Sequence, residues 1–455
     1  MQSNFLKQST EQRRDLILNG PVSATILFLS VPTLMMGLIQ SAIPVIDGLF
    51  LNNLVGTQAA SAVTYCTPIV NMISALAQGV SVAGMAIIGQ SNGNGNFKHS
   101  RKISTQIIVF TFLLGFILAP LLIALAFPIS AHVNEEISHD VFVYLALSAC
   151  VTPFSFMESI YNSIKNANGK PEDTFVRMVI MLILKIIFNA LFIAVFHWGL
   201  VGSVMASLAS NFLITGWMYY ELFIKKMGER FVLAGFRFDW TIINTLLRIG
   251  FPAMLSSLML NLGFFLINNE VEKYGAVVLN GQGIANNITS ICFILPSSFG
   301  SAVTTMVSMN IGAKQPEKAK KACLAGCVIS AITAALLIAL VVPLSPRLTV
   351  LFTRDASVLS VANQALHIYT YSVIGFGICM VQQGAFIGLG KTRITLFISL
   401  LRVWLLRYIF ILATEHFLSF YSVFWGNLFS NYMAALFTTI LILRVKWVSC
   451  INGSM

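Results

Sequence analysis

The sequence predicts an all-α, polytopic membrane protein with 12 transmembrane helices in two pseudo-symmetric six-helix bundles. Three observations predict this fold class: the composition, the spacing of the apolar runs and an internal repeat. Hydrophobic residues make up 57% of the 455 residues and charged residues only 10%, whereas soluble domains usually carry about 25% charged residues. A chain this apolar needs the bilayer as the solvent for most of its side chains.

The net charge of +11 does not indicate nucleic-acid binding. The basic residues are spread over short loops between apolar runs, which is the pattern of membrane topology rather than of a phosphate-binding face. The seven cysteines lie almost all inside apolar runs and lack the spacing of a zinc site. We therefore expect them to be small packing residues of the membrane helices.

Twelve apolar runs are long enough to cross the hydrocarbon core, which takes roughly 20 helical residues. Because the runs are continuous and do not alternate with polar residues, they exclude a transmembrane β-barrel. The polar first 22 residues and the long run that follows predict a retained first helix without a cleavable signal. The runs lie at about 25–51, 59–89, 103–127, 142–164, 174–196, 199–224, 243–269, 277–309, 319–345, 363–388, 394–414 and 418–444.

The distribution of Lys and Arg orients the chain in the membrane. With the amino terminus in the cytoplasm, 22 of the 28 basic residues fall on the inner side. Only Lys273, Arg347 and Arg354 fall on the outer side. This asymmetry predicts a multi-pass protein of the cytoplasmic (inner) membrane with both termini in the cytoplasm.

An internal repeat divides the chain. At an offset of 219–221 residues, Pro32 aligns with Pro252 and Gly169 with Gly390, with further landmarks in the same order between them. Each half has an even number of helices, so the two halves enter the membrane in the same sense, as alternating access between two lobes requires. The predicted parts are an amino-terminal segment 1–24, an N-lobe 25–224, a linker 225–242, a C-lobe 243–445 and a tail 446–455.

Several motifs together resemble the multidrug and toxic-compound extrusion (MATE) family. They include VPTLMMGLIQSAIPVIDGLFLNNLVG in the first helix, IIGQSNGNGNFKHSRK after the second, the NANGKPED and GLGKTRI turns, and FFLINNEVEKYG in the seventh helix. The resemblance runs from about Ile17 to Val445 and rests on the order and spacing of these motifs. It implies an antiporter in which inward sodium ions or protons drive the export of lipophilic, often cationic compounds.

Asp47 is the leading candidate for ion coupling. It lies near the outer end of the first predicted helix among apolar neighbours, and ionisable residues inside membranes are costly and usually functional. A carboxylate in a low-dielectric site gains affinity for protons and, where oxygen atoms converge, for sodium. The alternative is an interfacial aspartate hydrated from outside. The family that the chain resembles places an essential acid at this point, which favours the coupling role.

Neutral side chains are expected to complete this site. Many members of the family carry Asn-x-x-x-Asp in the fifth helix, but the run here is Asn189-Ala-Leu-Phe-Ile193, so the second acid is missing. We therefore expect Asp47 to act with Asn189, Ser207 and Asn211. One carboxylate with such partners could exchange one proton or hold Na⁺ transiently, and the sequence leaves this choice open.

Glu158 and Lys185 are predicted to form a second charged pair. Glu158 lies about 10 Å from the inner end of helix four and Lys185 about 16 Å along helix five, at 1.5 Å per residue. The pair could be a fixed link between the two helices. Alternatively, it could be a charge relay that breaks when Glu158 is protonated.

Amide side chains gather in the second half of the sequence. Some members of the family use acids on helices seven and ten for a cation site, but helix ten has none here. We expect a group that contacts substrate or gates it, with packing hydrogen bonds between helices as the alternative. Arg407 lies deep in helix eleven, where its partner would be an anionic substrate group or a packing hydrogen bond. The members of this group are five amides and one acid: Asn268, Asn269, Glu270, Gln282, Asn286 and Gln383.

The predicted function is secondary active antiport, exporting lipophilic or cationic drugs or metabolites in exchange for H⁺ or Na⁺. A flippase for lipid-linked oligosaccharides is the alternative, although it would need more intramembrane Lys and Arg than Lys185, Arg402 and Arg407. A channel is a further one. Neither an enzyme nor a nucleotide-driven pump is indicated, since catalytic and nucleotide-binding motifs are missing. We expect a monomer with no cofactor, whose partners are a small organic substrate and the lipid bilayer.

Overall fold

A computed structural model of the chain describes residues 8–131, 133, 135–224, 231, 236–353 and 355–450. The start of the predicted amino-terminal segment, most of the linker 225–242 and the end of the tail lie outside these ranges. The described residues form fifteen α-helices and three π-helical segments, and no strand occurs among them. The predicted all-α class is confirmed.

The helices follow one another with short connections. Their bounds are α1 Thr10–Asn19, α2 Val22–Leu54, α3 Thr57–Gly93, α4 Phe97–Ala131, α5 Glu135–Ala167, α6 Pro171–Asn189, α7 Gly199–Tyr219, α8 Trp240–Glu272, α9 Ala276–Gly312, α10 Pro316–Val350, α11 Ala356–Tyr371, α12 Val373–Gly388, α13 Thr392–Leu400, α14 Ile409–Leu418 and α15 Tyr421–Arg444. The π-helical segments are π1 Ala190–Val195, π2 Tyr220–Ile224 and π3 Leu401–Tyr408.

Twelve membrane spans are present if the bent pair α11–α12 counts as one. Eleven other helical stretches of the described chain are long and apolar enough to cross a bilayer, and α11 and α12 pass the same test together with a bend of 43°. Helices suit this environment because each satisfies its own backbone hydrogen bonds where no water is available. The predicted count is therefore confirmed.

Most of the observed helices are longer than the apolar runs that predicted them. For example, the third run was expected at 103–127, whereas α4 extends over Phe97–Ala131. The polar ends continue the helix beyond the hydrocarbon, so hydropathy alone underestimates it. Helix α1 is too polar to be found by hydropathy.

The chain separates into two compact units. The first unit comprises the chain up to Arg13 together with Met35–Met254, and the second comprises Arg14–Leu34 together with the chain from Leu255 onward. The divisions fall at the end of the first turn of α1, inside α2 and inside α8. The lobe boundaries drawn from the sequence stay a prediction.

Serine and glycine bring α3 and α5 together in the first unit. The hydroxyl of Ser81 donates to the carbonyl of Ser159 over 2.9 Å, and that of Ser163 donates to the carbonyl of Ser81 over 2.6 Å. A Cβ at Gly84 would lie 2.8 Å from Ser163 Oγ. Small residues allow this close approach, which replaces the hydrophobic driving force that is missing in lipid.

The same device joins α9 and α12 in the second unit. Thr304 Oγ1 donates to the carbonyl of Gly384 over 2.9 Å. A Cβ at Gly384 would collide with the carbonyl of Gly300, and one at Gly388 would lie 2.8 Å from the carbonyl of Thr304. Only glycine fits at these two crossings of α12.

Candidate cation-coupling site

A cavity of about 320 Å³ lies inside the first unit, between α2, α3, α4, α5, α6 and α7. Its walls are mainly aliphatic, and its charged lining residues are Asp47, Glu158 and Lys185. Ser207 and Asn211 add neutral polar groups from α7. Charged side chains in an apolar cavity of a membrane protein are a functional site by default.

Asp47 is held by two side chains of one helix. Lys185 Nζ lies 2.8 Å from Asp47 Oδ2, and Asn189 Nδ2 donates to Asp47 Oδ1 over 2.8 Å. Lys185 and Asn189 are four residues apart on α6, so they project from the same face of that helix. The carboxylate of α2 therefore has a partner for each oxygen.

The ammonium of Lys185 also contacts α7. Lys185 Nζ donates to Ser207 Oγ over 2.7 Å, and Asn211 Nδ2 donates to the carbonyl of Ser207 over 2.9 Å. Ser207 and Asn211 are again four residues apart. Lys185 therefore bridges a carboxylate on α2 and a hydroxyl on α7.

The site is largely removed from solvent. The side chain of Lys185 is 8% exposed and that of Asp47 is 20% exposed, while Asn189 is fully buried. Buried charges are tolerated when they are paired and hydrogen-bonded. Asn189 Oδ1 and Asn211 Oδ1 are buried with no hydrogen-bond partner among the described residues, so two further oxygens are available as acceptors.

The four predicted coupling residues are thus close together. Asn189 bonds directly to Asp47, and Ser207 is joined to Asp47 through Lys185. Asn211 lies on the same cavity wall. Their role in coupling stays a prediction.

The predicted ion pair between Glu158 and Lys185 is wrong. Glu158 forms its ion pair with Arg177, whose side chain is almost completely buried, and Lys185 pairs with Asp47. Depth along a helix fixes the height of a side chain in the membrane but not the face of the helix on which it lies. Arg177 was missed because it was counted among the basic residues of the inner side. The spacing from Lys185 to Asn189 could have identified the true partner, since both residues share one face.

The predicted amide-rich residues of the second unit differ in their burial. Asn268 and Asn286 are exposed, whereas Gln282 and Gln383 are buried. Glu270 forms an ion pair with Lys273 and accepts a hydrogen bond from Tyr408 Oη over 3.3 Å. The side chain of Asn269 lies outside the described part of the structure. A role in gating or substrate contact stays a prediction for these residues.

No group of three or more His, Cys, Asp or Glu side chains could hold a metal ion in the described part of the chain.

Comparisons with known proteins agree with this architecture. The sequence model of the MatE family matches twice, over residues 32–191 and 252–412. The starts of the two matches are 220 residues apart (252 − 32) and their ends are 221 residues apart (412 − 191), which equals the offset of the internal repeat. The probable multidrug resistance protein YoeA of Bacillus subtilis is 23% identical over 389 residues, which cover 83% of each chain. The FAD transporter of Shewanella oneidensis is 25% identical over 357 residues, 75% of this chain and 77% of that protein.

Solved structures share the fold. The crystal structure of a MATE protein in complex with MaL6 superposes with a TM-score of 0.89 at 21% identity, covering 94% of this chain and 98% of that one. The outward-facing conformation of a multidrug resistance MATE transporter gives a TM-score of 0.86 at 21% identity, covering 94% of this chain and 97% of that one. At this level of identity the likeness concerns the fold.

Proposed function

The chain belongs to the MatE family of membrane transporters, and we propose that it is a secondary active antiporter that exports lipophilic or cationic compounds in exchange for protons. The observation that carries this proposal is the ion pair between Asp47 and Lys185 inside the cavity of the first unit. It is a charged contact that a single proton can break.

The partners of Asp47 favour H⁺ over Na⁺. Sodium is bound by converging oxygen atoms, but both oxygens of Asp47 face nitrogen donors, from Lys185 and Asn189. The ammonium of Lys185 also donates a hydrogen bond to the hydroxyl of Ser207. It therefore stands where a metal cation would have to bind, and a sodium ion beside it would meet a like charge at short range.

A proton on Asp47 removes the charge that Lys185 is paired with. A buried ammonium without a counter-charge is strongly unfavourable, so Lys185 must move, lose its own proton or find another acceptor. Because Asp47, Lys185 and Ser207 belong to α2, α6 and α7, this change favours a different packing of three helices. Two packings that differ in proton occupancy of one site are what coupled transport needs.

A cationic substrate can use the same switch. The cavity is apolar apart from its polar wall, which suits a lipophilic cation. Such a substrate competes with the proton and with Lys185 for one carboxylate, so occupation by proton and by substrate exclude each other. The cargo of relatives differs: YoeA is a probable multidrug resistance protein, and the Shewanella protein is a FAD transporter.

Flux into proteoliposomes tests the proposal. Purified protein is reconstituted, and uptake of the fluorescent cation rhodamine 123 is followed under an imposed pH gradient or an imposed sodium gradient. We expect flux driven by the pH gradient, lost in Asp47→Asn and kept in the control Asp15→Asn, which makes the same substitution at an exposed side chain. Flux driven only by sodium would overturn proton exchange, and flux that ignores both gradients would overturn antiport.

A further inference from the structure

Two buried arginines of the second unit take no part in the site described above. Arg402 and Arg407 are 6% and 7% exposed, and both lie on π3, where the helix has π geometry over Leu401–Tyr408. In a π-helix the backbone hydrogen bond joins residues five apart, so these two side chains lie on nearly the same face. In an α-helix five residues make about 1.4 turns, which would separate them. Mid-helix π geometry is frequent at functional sites.

Neutral groups surround Arg402. Its Nη1 lies 3.5 Å from Asn431 Oδ1, at the limit of a hydrogen bond. Its guanidinium carbon lies 5.3 Å from the ring centre of Phe376. Arg402 Nε is buried with no hydrogen-bond partner among the described residues. The guanidinium is therefore only partly satisfied.

Arg407 has a similar environment. Its guanidinium carbon lies 5.8 Å from the ring centre of Phe264, and its guanidinium interacts with the phenol of Tyr369. Its Nε is also buried without a partner within the described ranges. The two arginines are close enough for their charges to repel.

Within its described residues, the second unit provides no acidic side chain that pairs with these arginines. Of the side chains that the structure describes, none forms an ion pair with Arg402 or Arg407. Glu270, which accepts a hydrogen bond from Tyr408 on π3, forms its ion pair with Lys273. Arginine stays protonated in proteins, and buried charges are normally paired. Two positive charges in one buried place therefore leave a site that lacks an anion.

The face of α8 beside Arg407 is exposed and partly polar. Phe264, which Arg407 faces, is 42% exposed. Asn261 and Asn268 are also exposed, three residues before and four after Phe264 on the same helix face. Exposed amides are costly against lipid tails, so this face borders water or substrate. The guanidinium of Arg407 lies one side chain beneath it.

We propose that Arg402 and Arg407 form a binding site for the carboxylate or phosphate group of an aromatic organic anion. The planar guanidinium fork matches both groups, and the rings of Phe264 and Phe376 provide aromatic faces beside it. As a statement about transported cargo this rests on the proposed function, since it adds anions to the substrates of the antiporter. As a statement about binding it does not depend on a gradient.

Equilibrium binding tests the site. Fluorescence polarisation of fluorescein is measured with purified protein in nanodiscs, without any gradient, beside rhodamine 123, which has the same xanthene ring system but a positive charge. The variants are Arg402→Gln and Arg407→Gln, and the control is Arg393→Gln, an exposed arginine on α13. We expect each buried variant to weaken fluorescein binding at least tenfold and to leave rhodamine 123 binding within twofold, while the control changes neither.

Equal fluorescein affinity in all variants would overturn the proposal. If a variant does not elute as a monodisperse species, the wild type alone decides: fluorescein must raise its melting temperature, and an anion must displace the dye. Displacement by inorganic pyrophosphate assigns a phosphate site, and displacement by benzoate assigns a carboxylate site. Displacement by neither overturns the proposal. Rhodamine 123 flux under a pH gradient, measured on the same preparations, shows separately whether the antiport proposal holds.

Discussion

Removing one charge of the Asp47–Lys185 pair should cost more than removing both. The substitution Lys185→Met keeps most of the side-chain volume and leaves the carboxylate with Asn189 as its remaining partner. At 2.8 Å, two unit charges attract by about 6 kcal/mol at an effective dielectric constant of about 20. Much of this attraction offsets the desolvation of both ions, and stranding one partner of a buried pair typically costs about 3–5 kcal/mol.

The partial exposure of Asp47 places the expected cost at or below the low end of that range. We expect about 2–3 kcal/mol for Lys185→Met and the same for Asp47→Asn, because each leaves the other charge buried. The double variant contains no buried charge here and should lose no more than about 2 kcal/mol. Two single costs of about 2–3 kcal/mol each and a double cost of no more than about 2 kcal/mol give a coupling energy of at least about 2–4 kcal/mol, which is at the upper end of the range for residues in contact.

The assay is a double-mutant cycle of unfolding midpoints, measured by titrating a denaturing detergent into protein in mild micelles. Transport is measured on the same preparations, and we expect no gradient-driven flux in any of the three variants. If the effects of the two single substitutions simply add up in the double variant, Asp47 and Lys185 are not energetically coupled, and the reasoning is refuted. Full transport by the double variant would refute the role of this contact in coupling.

Three further predictions follow from packing and charge in other regions. Gly384→Ala places a Cβ against the backbone of α9 and should destabilise the protein by about 1–3 kcal/mol or more, seen as a lower melting temperature; Gly283→Ala, where a Cβ has open space, should change it little. Arg177→Met leaves the partly exposed carboxylate of Glu158 on α5 without its ion-pair partner and should cost about 2–3 kcal/mol, at or below the low end of the range for a broken buried pair; an unchanged melting temperature would contradict this. The hydrogen bond from Lys102 lowers the pKa of Asp239 in the folded protein. This hydrogen bond should therefore stabilise the fold fully above the pKa of an aspartate in the unfolded chain, about 3.9. The stabilisation should be lost as the pH falls through the lower pKa of Asp239 in the folded protein. Lys102→Met should therefore lower the melting temperature at neutral pH and not at the acid end of a pH series.

Hydropathy predicted the spans well because the bilayer imposes one requirement on every transmembrane helix, a run of apolar residues of sufficient length. It could not find the bend between α11 and α12. No proline marks this position, and the run 363–388 reads as one helix. The break lies at Ser372, whose hydroxyl donates to the carbonyl of Tyr369 over 2.7 Å. Such local bonds from serine compete with the helical ladder, and their outcome depends on the helices packed around them.

The candidate site was predictable in its members and not in its pairing. Asp47 and Asn189 could be predicted because their positions match the family motifs. In the structure, Asn189 Nδ2 lies 2.8 Å from Asp47 Oδ1. The partner of Lys185 was misassigned because two side chains at similar depth can lie on opposite faces of their helices. Arg407 was expected to need a partner because of its depth, but the face that it shares with Arg402 depends on π geometry, which no sequence pattern predicted.

That π geometry also bears on how the second unit could evolve. A π-helical stretch accommodates an additional residue within an α-helical path, so a single deletion inside Leu401–Tyr408 could be absorbed by a return to α-helix. The residues of α14 would keep their places, while one of the two arginines would turn to another face. Changes of chain length usually shift every later side chain of a transmembrane helix by about 100° per residue. In π3, by contrast, the deletion of one residue would remove one of the two arginines from the interior, and the rest of the transmembrane span would keep its position.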